Sequence, residues 1–514
     1  MSRLRRFASG VISGYAALFA NIAFTMASVP LALHYLSKTE FGLWALITQI
    51  TGYFALIDVG MSGAVARILV DHKDDRNGGS YGTVFKTGAL VFSIQGLLIA
   101  LLGSAASWVL PSLMRIPSDL NPVFKILMAS QCLLLGLTFC TKILGSVLWC
   151  HQRSDIVNLA SAVVFGVNFA ALWLGFRFGL GLYSMLLASA LSMFCNSLAA
   201  WIASSHLQLF PERGCWGSLS WQAFQEVYDY ARNLFLITIG TQLLTASQVV
   251  IVTRTLGLDA AAVWAVATKI FTLAQQVVFR ICDLSVAALV EMFVRHETSL
   301  LERRFRQLML FSASLSIVVG GTVAFANGSF LAIWTRGRIA WGFENDLLMA
   351  LLLVLYAVVR CHTALMDVTK ELRGLKYVSL AEGLCFVPSA ILLSQRFGFA
   401  GVIGAAAILN IMLLGTYGVG RTVKYFKIRT RTVVFVWLGP AVQMMSIFLP
   451  LAVLIWWSTT SLPPWARLTL CGGVTGTIGL VLLVFVGVTR DMRDELFTRL
   501  RLFTNRNTSP LGGV

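Results

Sequence analysis

The sequence has very little charge. Only 12% of its 514 residues are Asp, Glu, Lys or Arg, and 57% are hydrophobic. An average soluble domain carries about twice that share of charge. The mean hydropathy is +0.78. No segment has the polar surface that a soluble domain needs, so the composition excludes soluble enzymes and predicts one polytopic membrane protein.

Metal-binding and disulfide signatures are also missing. None of the nine cysteines forms a Cys-x-x-Cys pair, and the six histidines show no ligand spacing. We therefore expect no zinc site, no disulfide framework and no cofactor, apart from H⁺ or Na⁺ as a coupling ion. The net charge of +17 is spread over many short loops. Nucleic acid is therefore not an expected partner.

Long apolar runs fill the sequence instead. Windows of about 19 residues indicate about fourteen transmembrane helices, among them a second span at 41–66, an eighth at 260–290, and two neighbours at 377–395 and 400–420. Loops assigned to one side hold 24 Lys and Arg residues, and the opposite loops hold eight. Because basic loops stay in the cytoplasm, we expect both termini to be cytoplasmic.

A sequence repeat divides the chain. At an offset of 220 residues, LSKTEFGLWALITQI (36–50) overlays LGLDAAAVWAVATKI (256–270), and at an offset of 219, RFGLG overlays RFGFA. The fold predicted is therefore an all-α membrane protein with two pseudo-symmetric six-helix bundles plus two C-terminal helices. The expected segments are an N-terminal bundle at 1–204, a cytoplasmic linker at 205–232, a C-terminal bundle at 233–421, a terminal helix pair at 422–488 and a cytoplasmic tail at 489–514.

Charged and amide side chains in the eighth span share one helical face. Lys269, Gln276, Arg280 and Asp283 fall within about 60° of one another at 100° per residue. Lys269 and Arg280 are eleven positions apart, so snorkelling would require their side chains to extend in opposite directions along the helix. That is the less economical explanation. We predict that this face lines a water-filled cavity, with interfacial snorkelling or a structural Arg280–Asp283 pair as the alternatives.

Two weaker polar stripes add candidates for the same cavity. Gln242 and Gln248 follow helical spacing in the seventh span, and Asn21 does so in the first. Small and polar residues also mediate ordinary helix packing in membranes, so both interpretations of these stripes stay open.

The stretch YFALIDVGMSGAVARIL places Asp58 and Arg67 in the second span. Nine residues put the two side chains on opposite faces of a continuous helix, so they are not expected to pair. We expect Asp58 to face the interior near Thr51 and Arg67 to end the span at the cytoplasmic side. Asp58 and Asp283 are candidates for ion coupling, and a structural hydrogen bond is the alternative for Asp58.

Three stretches resemble a known family. YLSKTEFGLWALITQITGYFALIDVGMSGAVAR (35–67), VVIVTRTLGLDAAAVWAVATKI (249–270) and RFGFAGVIGAAA (396–407) are similar to segments of bacterial polysaccharide flippases of the Wzx type, in the multidrug/oligosaccharidyl-lipid/polysaccharide (MOP) superfamily. The resemblance covers most of the chain, although its motifs are loose.

The resemblance implies a non-enzymatic transporter in the bacterial inner membrane. Its cargo would be an undecaprenyl-pyrophosphate-linked oligosaccharide, moved by alternating access through a cationic lumen. It implies membrane lipids, a polysaccharide polymerase and a chain-length regulator as partners. By position, Asp58, Arg67 and Arg254 match family residues. Where relatives often carry an acidic residue in the seventh span, this chain has Ser247 and Gln248.

Other classes remain as alternatives. A MATE-like cation or drug antiporter would want a net acidic lumen, whereas the interior charges here are mainly basic. A polytopic polymerase or ligase would usually have a large outer loop, whereas the longest outward loop expected here lies near 336–345. A lipid II flippase is a more closely related alternative, and these arguments do not distinguish it from a polysaccharide flippase.

Overall fold

The protein is helical throughout the part that the structure describes. This computed structural model contains no β-strand among its described residues, which are 3–58, 60–72, 75, 79–114, 116–151, 153–212, 214–369, 371–489 and 491–494. The prediction of an all-α polytopic membrane protein is confirmed. Most of the predicted tail at 489–514 lies outside the described residues.

The chain forms two compact units, residues 1–266 and 267–514. The first contains α1 (Arg3–Tyr35), α2 (Lys38–Phe54), α3 (Met61–His72), α4 (Ser80–Leu113), α5 (Asn121–Cys150), α6 (Ser154–Arg177), α7 (Tyr183–His206), α8 (Trp221–Leu256) and all but the last residue of α9 (Leu258–Ala267). The second contains α10 (Lys269–Val294), α11 (Thr298–Trp334), α12 (Phe343–Thr369), α13 (Leu372–Asn410), α14 (Thr416–Phe426), α15 (Gly439–Ser458), α16 (Pro464–Arg467) and α17 (Gly473–Leu482).

Thirteen helical stretches among the described residues are long and apolar enough to cross a membrane. One of them, Arg373–Phe426, has 54 residues. It would extend about 80 Å as a single helix, far beyond the bilayer. Gly398 interrupts it with a φ of 59°, and a Cβ at Gly401 would collide with the carbonyl of Leu393. The chain therefore changes direction at Gly398, and this stretch is long enough for two membrane crossings.

The second span is broken rather than continuous. A capping box between Ser37 and Glu40 starts α2, which gives way to a 3₁₀ turn ending at Asp58. Gly60 then takes a φ of 78°, a left-handed conformation that glycine adopts without strain. The candidate span ends at Asp58, so the prediction of one continuous span over 41–66 is wrong. The eighth span is likewise split between α9 and α10.

Helix α8 starts earlier than the predicted seventh span. It begins at Trp221, within the segment predicted as linker. The side chain of Ser220 accepts a hydrogen bond from the backbone N–H of Ala223 at 3.3 Å, which caps the first turn. The connection between α7 and α8 is therefore the shorter segment 207–220.

Small residues allow close packing within each unit. In the first unit, Gly96 on α4 and Gly136 on α5 approach so closely that a Cβ on either would collide with the other's carbonyl. In the second unit, Gly321 on α11 packs against Phe448 of α15. Such contacts are the usual means by which membrane helices associate. Helix α11 and the C-terminal helices therefore share one core.

Candidate functional site

An ion pair in the first unit lies at the break in the second span. Lys142 Nζ on α5 is 3.1 Å from Asp58 Oδ1. The hydroxyl of Ser62 donates to the same oxygen at 2.5 Å. The Lys142 ammonium also lies 4.2 Å from the centre of the Phe139 ring. Asp58 therefore faces inward as expected, and its charge is balanced by a lysine 84 positions away in sequence.

The break itself is stabilised by an amide side chain. A 3₁₀ turn followed by a glycine leaves backbone carbonyls without partners in the helix. Gln95 on α4 donates its Nε2 to the carbonyls of Ile57 and Asp58 at 2.7 and 3.2 Å. The buried Gln95 side chain thereby fixes the backbone that presents the Asp58 carboxylate.

The second unit repeats this arrangement with more charge. Arg360 Nη2 on α12 is 2.7 Å from Asp283 Oδ1 on α10. Arg360 Nη1 lies 3.7 Å from Asp367 Oδ2. Asp283 therefore pairs with Arg360, which corrects the alternative of a structural Arg280–Asp283 pair.

An amide also caps the break of the eighth span. Asn327 on α11 donates to the carbonyl of Ala267 at 3.4 Å and to Asp346 Oδ1 at 2.6 Å. Asn327 and Asp346 are both buried. The start of α10 is therefore held by α11 and α12 together.

The polar stripe predicted on the eighth span is present on one helix. Gln276, Arg280 and Asp283 are exposed on α10 and Lys269 is half-buried, whereas Phe271 and other apolar residues of the helix are buried. Neither Lys269 nor Arg280 forms an ion pair with a residue that the structure describes. Helix α10 therefore carries two cations without a described ion pair, the exposed Arg280 near Asp283 and the half-buried Lys269 at the start of the helix.

The remaining predicted residues do not join this stripe. Arg67 is exposed within α3 and pairs with Asp71 at 2.5 Å, one turn before the helix ends. Gln242 donates to the carbonyl of Gly52 at 3.0 Å, so it links α8 to α2. Arg254 is exposed in the last turn of α8, and Gln248 and Asn21 are half-buried on α8 and α1.

Several residues of the site were missed in the sequence. Lys142, Arg360 and Asp367 belong to the two ion-pair clusters. Helical phase identifies neighbours on one helix, but it does not identify a partner some 80 positions away. The only available signal was the presence of charge inside an apolar run, which marks a residue without naming its partner.

A further carboxylate is buried away from both clusters. Glu382 on α13 is 2% exposed, and Asn410 donates to its Oε1 at 2.9 Å. Glu382 forms no ion pair among the described residues. The hydroxyl of Tyr356 and the Oδ1 of Asn410 are buried without a hydrogen-bond partner in the same part of the molecule. Glu382 is the lone acid of its apolar run, so the sequence did contain a signal for it.

The two clusters have different chemistry. In the first cluster, the charge of Lys142 is balanced by the carboxylate of Asp58, so little net charge remains to bind a ligand. Arginines and lysines without partners can bind phosphate, for which guanidinium provides two parallel donors. The α10 face is therefore the part of the described structure best suited to an anionic ligand.

The sequence matches one family model, described as polysaccharide biosynthesis protein, over residues 35–283. The chain is similar to this family over a little under half of its length. The matched region starts before α2 and ends at Asp283, so it includes Asp58 and the whole polar stripe of α10. The resemblance drawn from the sequence is thereby confirmed. No curated protein sequence matches the chain.

Solved structures share the fold at low sequence identity. An inward-facing multidrug resistance MATE family transporter of the MOP superfamily is 15% identical, with a TM-score of 0.68 over 79% of this chain and 96% of that one. The lipid II flippase MurJ, in an inward closed conformation, is 12% identical, with a TM-score of 0.58 over 97% of this chain and 100% of that one. A MOP superfamily transporter from Pyrococcus furiosus is 14% identical, with a TM-score of 0.58 over 82% and 96%. The chain therefore shares the fold of these transporters.

Proposed function

We propose that this protein is a flippase for undecaprenyl-pyrophosphate-linked oligosaccharide repeat units. It would move them by alternating access to the outer leaflet of the bacterial inner membrane, for assembly of a surface polysaccharide such as O-antigen, capsule or exopolysaccharide. Membrane lipids, a polysaccharide polymerase and a chain-length regulator are the proposed partners. Both termini are proposed to be cytoplasmic, and a reporter fused after residue 514 should lie in the cytoplasm.

One observation carries the proposal. Lys269 and Arg280 present positive charge on an exposed face of a transmembrane helix, and no described carboxylate neutralises them. Charge in a span is expensive against lipid and is normally directed to a water-filled cavity. A pyrophosphate head group carries the opposite charge, and arginine binds phosphate oxygens in pairs. The family match favours a polysaccharide precursor as the cargo. The cations of the α10 stripe favour a carrier lipid with an anionic head group.

A coupling ion is part of the proposal. Asp58 and Asp283, the candidates from the sequence, are each paired with a cation. A carboxylate that is already paired with a cation has a lower affinity for a proton or Na⁺ than an unpaired carboxylate does. Glu382 is buried with only an amide donor, so we propose Glu382 as the coupling group. Glu382→Gln should remove the dependence of export on the ion gradient, whereas Asp58→Asn should leave that dependence in place.

The test compares two arginine substitutions at normal expression. Arg280→Ala should abolish polysaccharide display and leave lipid-linked units in the cytoplasmic leaflet. Arg338→Ala removes an exposed arginine from the loop after α11, and display should stay at the wild-type level. Full display from both Arg280→Ala and Lys269→Ala would contradict the proposal.

The same strains separate the alternatives. Unchanged polysaccharide with altered drug sensitivity in a deletion strain would indicate a cation or drug antiporter. Arrest of cell-wall synthesis with intact surface polysaccharide would indicate lipid II as the cargo. Retained transport of completed repeat units with defective polymer length would indicate a polymerase or ligase.

A further inference from the structure

Two cysteines of the second unit are in contact with each other. The Sγ atoms of Cys282 on α10 and Cys361 on α12 lie 3.3 Å apart, and both residues are fully buried. Both are free thiols. They are 79 positions apart in the sequence, so the fold brings together two groups that no local cysteine motif identifies.

The two thiols lie in an apolar core built from several helices. Cys282 and Cys361 belong to a buried cluster that also contains Phe305 of α11 and Leu365 of α12. The hydroxyl of Ser312 on α11 is 3.5 Å from the Cys282 sulfur. Three helices of one unit therefore meet at the pair, and the two sulfurs face each other between α10 and α12.

The ion pair of the second unit lies directly beside the two thiols. Asp283 follows Cys282 in the chain, and Arg360 precedes Cys361. Asp283 and Arg360 are bonded at 2.7 Å, and their side chains are 44% and 31% exposed. The buried sulfurs are thus one residue away from a partly exposed polar contact, which holds α10 and α12 together at the level of the thiols.

The spacing of the sulfurs fits a disulfide better than a metal site. An S–S bond is about 2.05 Å long, so the two sulfurs need to approach by only about 1.2 Å. Rotation of two side chains that already touch provides a movement of this size. A structural zinc site takes four ligands, and the described residues contain no group of three or more His, Cys, Asp or Glu that could hold a metal ion.

We propose that Cys282 and Cys361 are an oxidation site, at which hydrogen peroxide converts the two thiols into a disulfide that joins α10 to α12. One sulfur attacks peroxide, so that an S–O bond forms, the O–O bond breaks and one water leaves a sulfenic acid behind. The other sulfur then attacks the sulfenic sulfur, so that the S–S bond forms, the S–O bond breaks and a second water leaves. The two thiols lose two electrons and two protons, which the peroxide gains.

The disulfide has two consequences for the protein, and neither depends on the cargo. It closes a loop of 79 positions that contains the whole of α11, and such a cross-link stabilises a fold by restricting the unfolded chain. It also stops oxidation at a reversible state. A sulfenic acid without a neighbouring thiol is oxidised further to sulfinic acid, which common reductants do not reverse.

The first experiment maps the cysteines of the full chain in detergent after treatment with hydrogen peroxide. Remaining thiols are blocked with a maleimide in denaturant, and the digested peptides are analysed by mass spectrometry. A peptide linking Cys282 to Cys361 should be the main form of both residues and should disappear on reduction. Recovery of both as maleimide adducts, under conditions that oxidise the exposed Cys140 and Cys385, would overturn the proposal.

Cys132 on α5 provides a matched control within the same sample. It is as fully buried as the pair, but it lies against Gly103 of α4. Cys132 should therefore be recovered as a maleimide adduct. A linked peptide that contains Cys132 would mean that thiols pair after the chain has unfolded, and this result would overturn the assignment of the link to the folded structure.

Single substitutions test whether the second thiol ends the oxidation. In Cys282→Ala and in Cys361→Ala, the remaining cysteine of at least one variant should gain about 32 Da under the same treatment, as a sulfinic acid. Wild type should show the linked peptide without this gain. Recovery of an unmodified thiol in both variants would contradict a reaction of peroxide at this site.

Thermal unfolding measures the effect of the link on the fold. Oxidised wild type should unfold at a temperature at least about 4 °C above that of the reduced protein. Cys361→Ala should show no rise after the same treatment. An equal rise in the variant would mean that peroxide acts elsewhere, and no rise in fully linked wild type would overturn the stabilising role.

Discussion

The two units contain the same kind of cluster with a different balance of charge. In the first, Lys142 pairs with Asp58 and also lies over an aromatic ring. In the second, Arg360 lies between Asp283 and Asp367, and the neighbouring face of α10 carries further cations. The first cluster balances one cation with one carboxylate, while the second has two carboxylates for one arginine, and the positive charge without a described partner is that of Lys269 and Arg280 on α10.

This difference separates residues that stabilise the fold from residues that are available to bind a ligand. An amide side chain binds a backbone carbonyl at the helix break in both units, but only in the first unit does an ion pair lie at the break itself. In the second unit, the face of α10 next to the Arg360 cluster also carries Arg280, which is exposed and forms no ion pair with a described residue. We therefore propose that the Asp58–Lys142 pair stabilises the fold and that the α10 face contacts an anionic head group.

The largest effect is expected from Arg360→Ala. Its loss leaves two carboxylates in a transmembrane region without a cation, whereas Lys142→Ala leaves one carboxylate that keeps the Ser62 hydroxyl. Arg360→Ala should lower the amount of protein in the membrane about tenfold or more, and Lys142→Ala should have a smaller effect. Immunoblots of membrane fractions measure both. Normal abundance of Arg360→Ala would contradict the central role of Arg360.

Paired neutralisation should distinguish the units sharply. Asp58→Asn with Lys142→Gln removes both charges and should keep polysaccharide display within about threefold of wild type, because no unpaired charge remains. Asp283→Asn with Arg360→Gln should lower display about tenfold, because it leaves Asp367 without the cation that Arg360 provides. Display is compared at matched protein levels. Equal effects in the two units would remove the distinction between them.

Arg280→Lys should have an intermediate effect. Lysine keeps the charge but loses the planar pair of donors that suits a phosphate. Transport should fall about three- to tenfold and recover when the protein is overexpressed. Quantified lipid-linked units in the two leaflets provide the measurement. Transport equal to wild type would argue against direct contact between Arg280 and phosphate.

The smallest effects are expected at the two caps. Gln95→Leu should destabilise the protein by about 1–3 kcal/mol, because the carbonyls of the first break lose their donor. Asn327→Leu should cost more, because it also leaves Asp346 without its amide partner. Thermal unfolding in detergent should rank wild type above Gln95→Leu and Gln95→Leu above Asn327→Leu. The reverse order would indicate that the Asp346 contact contributes little.

Much of the fold could be predicted because it depends on local sequence. The length of the apolar runs indicates spans, and these runs correctly predicted an all-α membrane protein. The breaks could not be predicted in the same way. Asp58 and Gly60 looked like residues of one continuous helix, because an apolar window cannot detect carbonyls that Gln95 satisfies from another helix.

The candidate site shows the same limit. The phase of α10 correctly brought Lys269, Gln276, Arg280 and Asp283 onto one helix face. Helical phase could not show that Asp283 pairs with Arg360, because that contact joins residues 77 positions apart. It also could not separate Gln242, which holds α2, from a residue free to contact cargo.

The most direct test is the leaflet distribution of lipid-linked repeat units in a deletion strain, with and without the wild-type chain. The proposed flippase predicts that units accumulate in the cytoplasmic leaflet in the deletion strain, that surface polysaccharide disappears, and that the wild-type chain restores both. A normal distribution of units between the leaflets with normal polysaccharide in the deletion strain would contradict it.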